Sequence, residues 1–244
     1  MITHTFSHLE GITPKLEKLL EEFGIRHWDD FYAKRHQLTV VPSHKLEQLE
    51  NAIKVSKMAL ENNDMQYFKN SLKPKEHWRL CKMGKIAYVD IETTGLSRWS
   101  EEITVIGIYD GSASHMYVNG INLLEAKEKL KEFDIFVTFN GKQFDLPFIE
   151  HHFSHQYDVI HLDLRYMLKE LGLQGGLKNI EYQLGIDRGD DLAGVDGFEA
   201  VRLWHQYKRG SRSALDKLLR YNEQDIINLK FLLNHYLEKR TTKQ

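Results

Sequence analysis

The eight residues VDIETTGL, from Val89 to Leu96, place two carboxylates two positions apart in a hydrophobic run. Successive side chains of a β-strand point to opposite faces, so Asp90 and Glu92 would project together while the apolar residues beside them face the other way. Gly95 then permits a tight turn and a close approach of backbone to a ligand. Two interpretations are open at this point: a polar strand end on a solvated face, or a pair of metal ligands.

The chain around this stretch alternates between short apolar runs typical of strands and amphipathic stretches typical of helices. Three strands come first, and a DGS turn between the second and third favours a hairpin. A helix from Leu123 to Phe133, a fourth strand, a helix starting at Asp145, a fifth strand and mostly helical chain follow. The strand segments are KIAYVDIE, ITVIGIY, ASHMYV, DIFVTF and DVIHLDL. This βββαβα order is that of the ribonuclease H-like fold, so we expect an α/β protein with a mixed five-stranded sheet and flanking helices.

Residues 1–80 carry helical patterns and no evident strand, which predicts a small all-helical domain ahead of a second domain at residues 84–244. Thr13 can cap a helix that has Pro14 at its first position, and a longer helix opens at Ser43. The segment LEGITPKLEKLLEEFGIRHWDDFY resembles a helix-hairpin-helix element, in which backbone N–H groups at a helix start bind phosphate. Thr13 stands where that motif usually has its second glycine, and a helical cap without nucleic-acid contact is the alternative.

A basic connector, LKPKEHWRLCKMGK, runs from Leu72 to Lys85. Its cationic residues surround Trp78 and would allow it to track a single strand by charge and stacking. A solvated hinge is the alternative interpretation. The cationic residues are Lys73, Lys75, Arg79, Lys82 and Lys85.

Composition excludes several classes of protein. Among the 244 residues, 41% are hydrophobic and 28% are charged, as in a soluble globular protein, and the net charge of −2 argues against a polycationic nucleic-acid coat protein. The apolar runs are too short to span a bilayer, and the first residues lack the pattern of a signal peptide. The single cysteine, Cys81, excludes an internal disulfide and a cysteine-based zinc cluster, so we expect a cytoplasmic protein without a membrane partner.

Two further segments carry acidic residues at informative positions. In TFNGKQFDLPFI, Asn140 follows the fourth strand at its carboxyl end, where open α/β sheets bind ligands, and Asp145 stands at a helix start. In YNEQD, Tyr221 and Asp225 are four residues apart and therefore share one face of a helix. Taken alone, Asp145 is explained by helix capping and the Tyr–Asp pair by chance; the three segments in this order are not.

Together the segments resemble the three motifs of the DEDD superfamily of 3′–5′ exonucleases. Asp-x-Glu-Thr-Thr-Gly resembles the first motif, Asn-x-x-x-Phe-Asp the second, and Tyr-x-x-x-Asp the third motif of the tyrosine branch (DEDDy). The resemblance covers residues 84–240. More narrowly, the chain is similar to ribonuclease H-like proteins of the YprB type, in the stretches HLEGI, DIETTGL, GGLKNIEYQLGI and YNEQDIINL.

Four converging carboxylates repel one another unless cations neutralise them, and an all-oxygen ligand set suits Mg²⁺ or Mn²⁺. Two such ions can activate water and stabilise the leaving oxygen of a phosphodiester. By resemblance, Asp90 would bridge both ions, and Glu92 and Asp225 would complete the first site. Asp145 would hold the second ion, and Tyr221 would orient the attacking water.

The resemblance also implies contacts to the substrate. Thr93, Thr94 and Leu96 would line the terminal nucleotide, with Leu96 as a wedge against its base, and Asn140 would contact the sugar–phosphate. Lys178 is either a phosphate ligand or an ordinary surface lysine. We expect a structural role for Asp163, and core positions for Phe144 and Phe148.

The predicted function is therefore a metal-dependent 3′–5′ exonuclease that acts on single-stranded DNA or RNA and releases nucleoside 5′-monophosphates. One alternative is a catalytically weak or inactive nucleic-acid-binding module on the same fold, whose expected mark would be a missing carboxylate. The other is a protein-interaction scaffold that has retained the site by descent. The choice of sugar, strandedness, processivity and oligomeric state are left open by the sequence.

Overall fold

The computed structural model describes residues 2–186 and 197–242. The chain divides into two compact units, one of Met1–Gly84 with Arg240–Gln244 and one of Lys85–Lys239. None of the helices among the described residues is long and apolar enough to cross a lipid bilayer.

The first unit is helical. Its α-helices are α1 (Pro14–Glu22), α2 (Trp28–Lys34), α3 (Ser43–Glu61) and α4 (Met65–Ser71), with 3₁₀ turns at Ile2–His4, Arg35–Gln37 and Pro74–Leu80. Thr13 caps α1 as predicted, because its hydroxyl accepts a hydrogen bond from the Leu16 N–H at 3.2 Å. Gly24 follows α1 with φ of +65°, a backbone conformation that glycine adopts without strain, and the chain then turns into α2.

The segment predicted as a basic connector is folded into the first unit. Its 3₁₀ helix buries Trp78, which is 1% exposed, and Arg79, whose Nε donates to Glu76 Oε2 at 2.7 Å. Burying so large an aromatic side chain is favourable, and the neighbouring ion pair allows the guanidinium to be buried with it. The expectation that Trp78 could stack on a nucleic-acid base is therefore wrong.

The second unit contains the predicted mixed sheet. Its strands are β1 (Ile86–Thr93), β2 (Ile103–Tyr109), β3 (Ser114–Val118), β4 (Ile135–Thr138) and β5 (Ile160–Asp163), arranged in the order β3-β2-β1-β4-β5. Strands β1, β2 and β3 form an antiparallel meander, whereas β4 and β5 run parallel to β1. The predicted ribonuclease H-like order and the five strands are confirmed.

Helices cover both faces of this sheet. They are α5 (Ala126–Leu130), α6 (Asp145–Phe153), α7 (Leu164–Lys169), α8 (Leu177–Gln183), α9 (Gly197–Lys208) and α10 (Arg212–Thr242). The helix predicted over Leu123–Phe133 is shorter than expected, since it starts with a 3₁₀ turn at Leu123–Glu125 and α5 ends at Leu130.

The two faces of β1 have different roles. Ala87, Val89 and Ile91 join an apolar cluster with residues of α5 and α6, such as Leu130 and Phe148. The other face lies against α9 and α10, in a cluster that includes Val105 of β2, Leu203, Leu218 and Tyr221. The period of two therefore sends the polar residues of β1 towards α10, as the strand pattern predicts.

Candidate active site

The site lies where β1 and β4 separate. The parallel pairing of β1 with β4 ends at Tyr88 and Val137, so β1 continues without a strand on that side. The Ile91 N–H instead donates, at 3.2 Å, to Oδ1 of Asp145, which is the first residue of α6. A carboxylate thus takes the place of a neighbouring strand, and the opening leaves room for a ligand at the carboxyl end of β4.

Three carboxylates meet at this opening. Ligand oxygens of Asp90, Glu92 and Asp225 lie within 4.8 Å of one another, and Glu92 and Asp225 are buried. Two positions on one face of β1 and one position of α10 supply them. Asp145 is also buried and lines the same cavity, beside its contact with β1.

Burial and repulsion by neighbouring carboxylates raise the pKa values of Glu92 and Asp145. Removal from water raises the pKa of Glu92 well above its usual range, and the charge of Asp225 adds to the effect. Burial likewise raises the pKa of Asp145 to about 7, with smaller contributions from Asp163 and Asp225. A divalent cation would remove this penalty, and an all-oxygen donor set is the one that Mg²⁺ and Mn²⁺ prefer. The cluster therefore has both the donors and the electrostatics of a divalent-cation site.

A cavity of about 630 Å³ surrounds the carboxylates. Nine of the ten predicted site residues line it: Asp90, Glu92, Thr93, Thr94, Leu96, Asn140, Asp145, Tyr221 and Asp225. Lys178 is not among the lining residues, but its Nζ lies 5.0 Å from the centre of the ring of Tyr221, which does line the cavity.

The turn after β1 holds its shape through the two threonines. Thr93 Oγ1 donates to the Gly95 carbonyl and Thr94 Oγ1 donates to Glu101 Oε2, each at 2.6 Å. Leu96 at the tip of this turn is 85% exposed although it borders the cavity. The threonine hydroxyls thus organise the turn, and the exposed leucine is available to an apolar part of a ligand.

Asp163 has the structural role that the sequence predicts. Its buried carboxylate accepts hydrogen bonds from the backbone N–H groups of Asn140 at 2.8 Å, Lys142 at 3.0 Å and Arg165 at 3.1 Å. These bonds fix the loop after β4, in which Asn140 adopts a φ of +65°. Phe148 is buried in the core as predicted, whereas the partly buried Phe144 both packs on the core and lines the cavity.

Two contributors lie outside the predicted set. Asn222, which is 0% exposed, donates from Nδ2 to Asp90 Oδ2 at 2.7 Å. Gly107 is paired with Asp90 across the sheet, and a Cβ atom there would lie 2.0 Å from Asn222 Oδ1. An isolated glycine within a strand is a sequence sign of close approach and could have drawn attention to Gly107, whereas the YNEQD segment alone assigns no role to Asn222.

The start of α9 supplies another unpredicted part of the wall. Phe198 and Val201 line the cavity, and Phe198 is 87% exposed. No motif marks these residues in the sequence, because their position depends on how α9 packs on the sheet.

Comparison with models of known protein families identifies the superfamily of this chain. The model of the RNase H superfamily matches residues 87–237, which is more than half of the chain. The chain belongs to the RNase H superfamily. A search among curated proteins finds no significant match.

Two solved proteins are similar to this chain at low sequence identity. The family B DNA polymerase of Pyrobaculum calidifontis is similar with a TM-score of 0.50 and 12% identity, over 64% of this chain and 24% of the polymerase. The match thus spans about a quarter of the polymerase. Brucella melitensis NrnC is similar with a TM-score of 0.44 and 19% identity, over 64% of this chain and 75% of NrnC. The same protein bound to pGG gives a TM-score of 0.41 and 20% identity over the same shares.

Membership of this superfamily bears on the chemistry that the carboxylate cluster can perform. A nuclease-type fold that presents buried acids in an open cavity supports hydrolysis of nucleic acids as the general activity.

Proposed function

We propose that this protein is a metal-dependent 3′–5′ exonuclease of the tyrosine branch of the DEDD superfamily. Its substrates would be single-stranded DNA or RNA, and its products nucleoside 5′-monophosphates. The observation that carries the proposal is the meeting of Asp90, Glu92 and Asp225 within 4.8 Å in a cavity that Asp145 and Tyr221 also line.

In this proposal the carboxylates of the site would hold two divalent ions. Asp90, Glu92 and Asp225 would hold the first, and Asp90 and Asp145 the second. Bound Mg²⁺ or Mn²⁺ would lower the pKa of the attacking water and neutralise charge on the departing oxygen.

The remaining residues orient the substrate and the water. Tyr221 lies four residues before Asp225 on the same helix face and lines the cavity, so its hydroxyl would hold the attacking water by a hydrogen bond. Leu96 and Phe198 are exposed apolar side chains on the same cavity and would contact the terminal base. Asn140 would contact the sugar–phosphate. Lys178 would help to position Tyr221, because its Nζ lies over the tyrosine ring. The proposed location is cytoplasmic, which the single cysteine favours.

The test is a time course on 5′-labelled single-stranded DNA and RNA oligomers, with Mg²⁺, with Mn²⁺ and with EDTA. We expect a ladder that shortens from the 3′ end, nucleoside 5′-monophosphates as products, and no cleavage in EDTA. Circular single-stranded DNA should resist, since it has no 3′ end. Cleavage of the circle would refute the exonuclease proposal and leave an endonuclease.

A variant of the site and its matched control can be made on the same helix, α10. Asp225→Asn should abolish cleavage, whereas Asp216→Asn, at an exposed position of α10, should not change it. Tyr221→Phe should lower kcat about a hundredfold or more, in line with loss of a group that positions a reacting water. Cleavage that survives both Asp225→Asn and Asp90→Ala would place the activity elsewhere. Binding of oligomers without any cleavage by the intact protein would support the inactive binding module instead.

A further inference from the structure

A second cavity adjoins the first. It has a volume of about 740 Å³, and both cavities are lined by Phe139, Asn140 and Gly197. Its other walls come from α7 and from the loop that leads to α8. Its size falls within the range of about 300–1,000 Å³ found for sites that bind small molecules.

The two cavities carry opposite charge. Four carboxylates and no cationic side chain line the first, among the described residues. Arg165 and Lys169 line the second, and none of its described lining residues is acidic. The Arg165 and Lys169 side chains are exposed, and in the described part of the chain Lys169 takes part in no ion pair. A polyanion that ends in the first cavity would therefore meet positive charge in the second.

Hydrogen bonds hold the residues at the boundary between the two cavities in place. Asp163 fixes the backbone of both Asn140 and Arg165, through hydrogen bonds of 2.8 and 3.1 Å. Arg165 Nη1 also donates to Asn140 Oδ1 at 2.7 Å. A guanidinium has five N–H donors in a planar fork, so Arg165 is oriented by one bond and retains donors for a phosphate.

An aromatic ring lines the same cavity as the two cations. Tyr166 lines the second cavity and is 43% exposed. Basic groups that follow a phosphate backbone, combined with rings on which bases stack, are the usual means of binding single strands without sequence preference.

We propose that the second cavity binds the nucleotides on the 5′ side of the phosphodiester bond that is cleaved. Arg165 and Lys169 contact their phosphates, and Tyr166 stacks on a base. The inference rests on the proposed exonuclease function and assigns the path by which a longer strand reaches the carboxylates.

The test compares substrates that fill one cavity or both. The p-nitrophenyl ester of thymidine 5′-monophosphate is a probe for the first cavity alone, and single-stranded decamers reach both. For the single variant Lys169→Gln, whose residue lines only the second cavity, we expect kcat/KM on the ester to stay within twofold of the intact protein. In the double variant Arg165→Gln/Lys169→Gln, KM for the decamer should rise about tenfold, as expected for the loss of charged contacts to two phosphates.

Salt dependence gives a second readout. At fixed Mg²⁺, the slope of log KM for the decamer against log salt should fall by about 1.4 in the double variant, at about 0.7 for each phosphate contact on a single strand. Lys169→Gln alone, at an exposed side chain, should lower it by about 0.7. Lys127→Gln/Lys131→Gln is the matched control, because these lysines have the same spacing and line neither cavity.

The outcomes separate the two proposals. Failure of the intact protein to cleave any substrate refutes the exonuclease function and this inference with it. Normal cleavage, with the same length and salt dependence in the double variant as in the control, overturns the second cavity alone. A loss on the ester as large as on the decamer overturns it too, since the residues would then serve the first cavity.

Discussion

Replacing Gly107 by alanine tests how the carboxylate cluster is held. Gly107 is opposite Asp90 in the sheet, and the added methyl carbon would lie 2.0 Å from Asn222 Oδ1 and 3.2 Å from Ile226 Cδ1. Asn222 is fully buried and donates to Asp90 at 2.7 Å, so it cannot move away without breaking that bond. The methyl group therefore forces either a shift of α10 or a new position for the asparagine.

The magnitude follows from the packing. An extra methyl group in a well-packed core costs about 1–3 kcal/mol of unfolding free energy. For a chain of this size each kcal/mol corresponds to about 2–4 °C, so the thermal midpoint should fall by about 2–12 °C. Loss of the amide donor to Asp90 should also raise the Mg²⁺ concentration needed for half-maximal activity.

The assay is a double-mutant cycle of Gly107→Ala with Asn222→Ala, followed by thermal and urea unfolding. Asn222→Ala empties the space that the methyl group needs, so in that background Gly107→Ala should cost less than about 0.5 kcal/mol. Gly197→Ala is the stability control, because nothing lies within 4 Å of a Cβ atom at that position. Additive losses in the double variant would refute the reasoning, since the clash with Asn222 would then not be their cause.

Three further predictions concern buried polar groups. In EDTA, Glu92→Gln should raise the unfolding free energy by about 1–4 kcal/mol, because it removes a buried charge beside Asp225, and the stabilisation by Mg²⁺ should disappear. Asp163→Asn should lower the unfolding free energy by about 1–3 kcal/mol, because an amide NH₂ would face one of three backbone N–H groups. Burial lowers the pKa of His8 to about 4, so the unfolded chain binds more protons below about pH 6.5, and stability should fall by up to about 3 kcal/mol between pH 6.5 and 4.

Each of these three predictions can be tested by a direct measurement. Thermal unfolding with and without Mg²⁺ tests Glu92→Gln, and a lower midpoint in EDTA would contradict the repulsion argument. Urea unfolding tests Asp163→Asn, with Asp216→Asn as the exposed control. For His8, tryptophan fluorescence is suitable because the His8 and Trp28 rings are 5.5 Å apart. His8→Gln should flatten the acid slope, and an unchanged slope would mean that another group titrates.

Local periodicity was enough to predict much of the framework. A period of two places Asp90 and Glu92 on one face of β1, and a spacing of four places Tyr221 and Asp225 on one face of α10. The cap at Thr13 depends on a neighbouring backbone group, so it could be predicted from adjacent residues. The fold class followed from the order of the elements along the chain, since connections between strands obey few topologies.

Contacts between distant segments depended on the folded chain. Asn222 and Asp90 are 132 positions apart, and their hydrogen bond exists because a glycine in β2 lets α10 approach the sheet. The place of Phe198 at the cavity, the hydrogen bond from Arg165 to Asn140, and the burial of Trp78 also depend on contacts between distant segments. Residue type and spacing describe what a segment can present, whereas the partner it meets is set by close packing of side chains far apart in the chain.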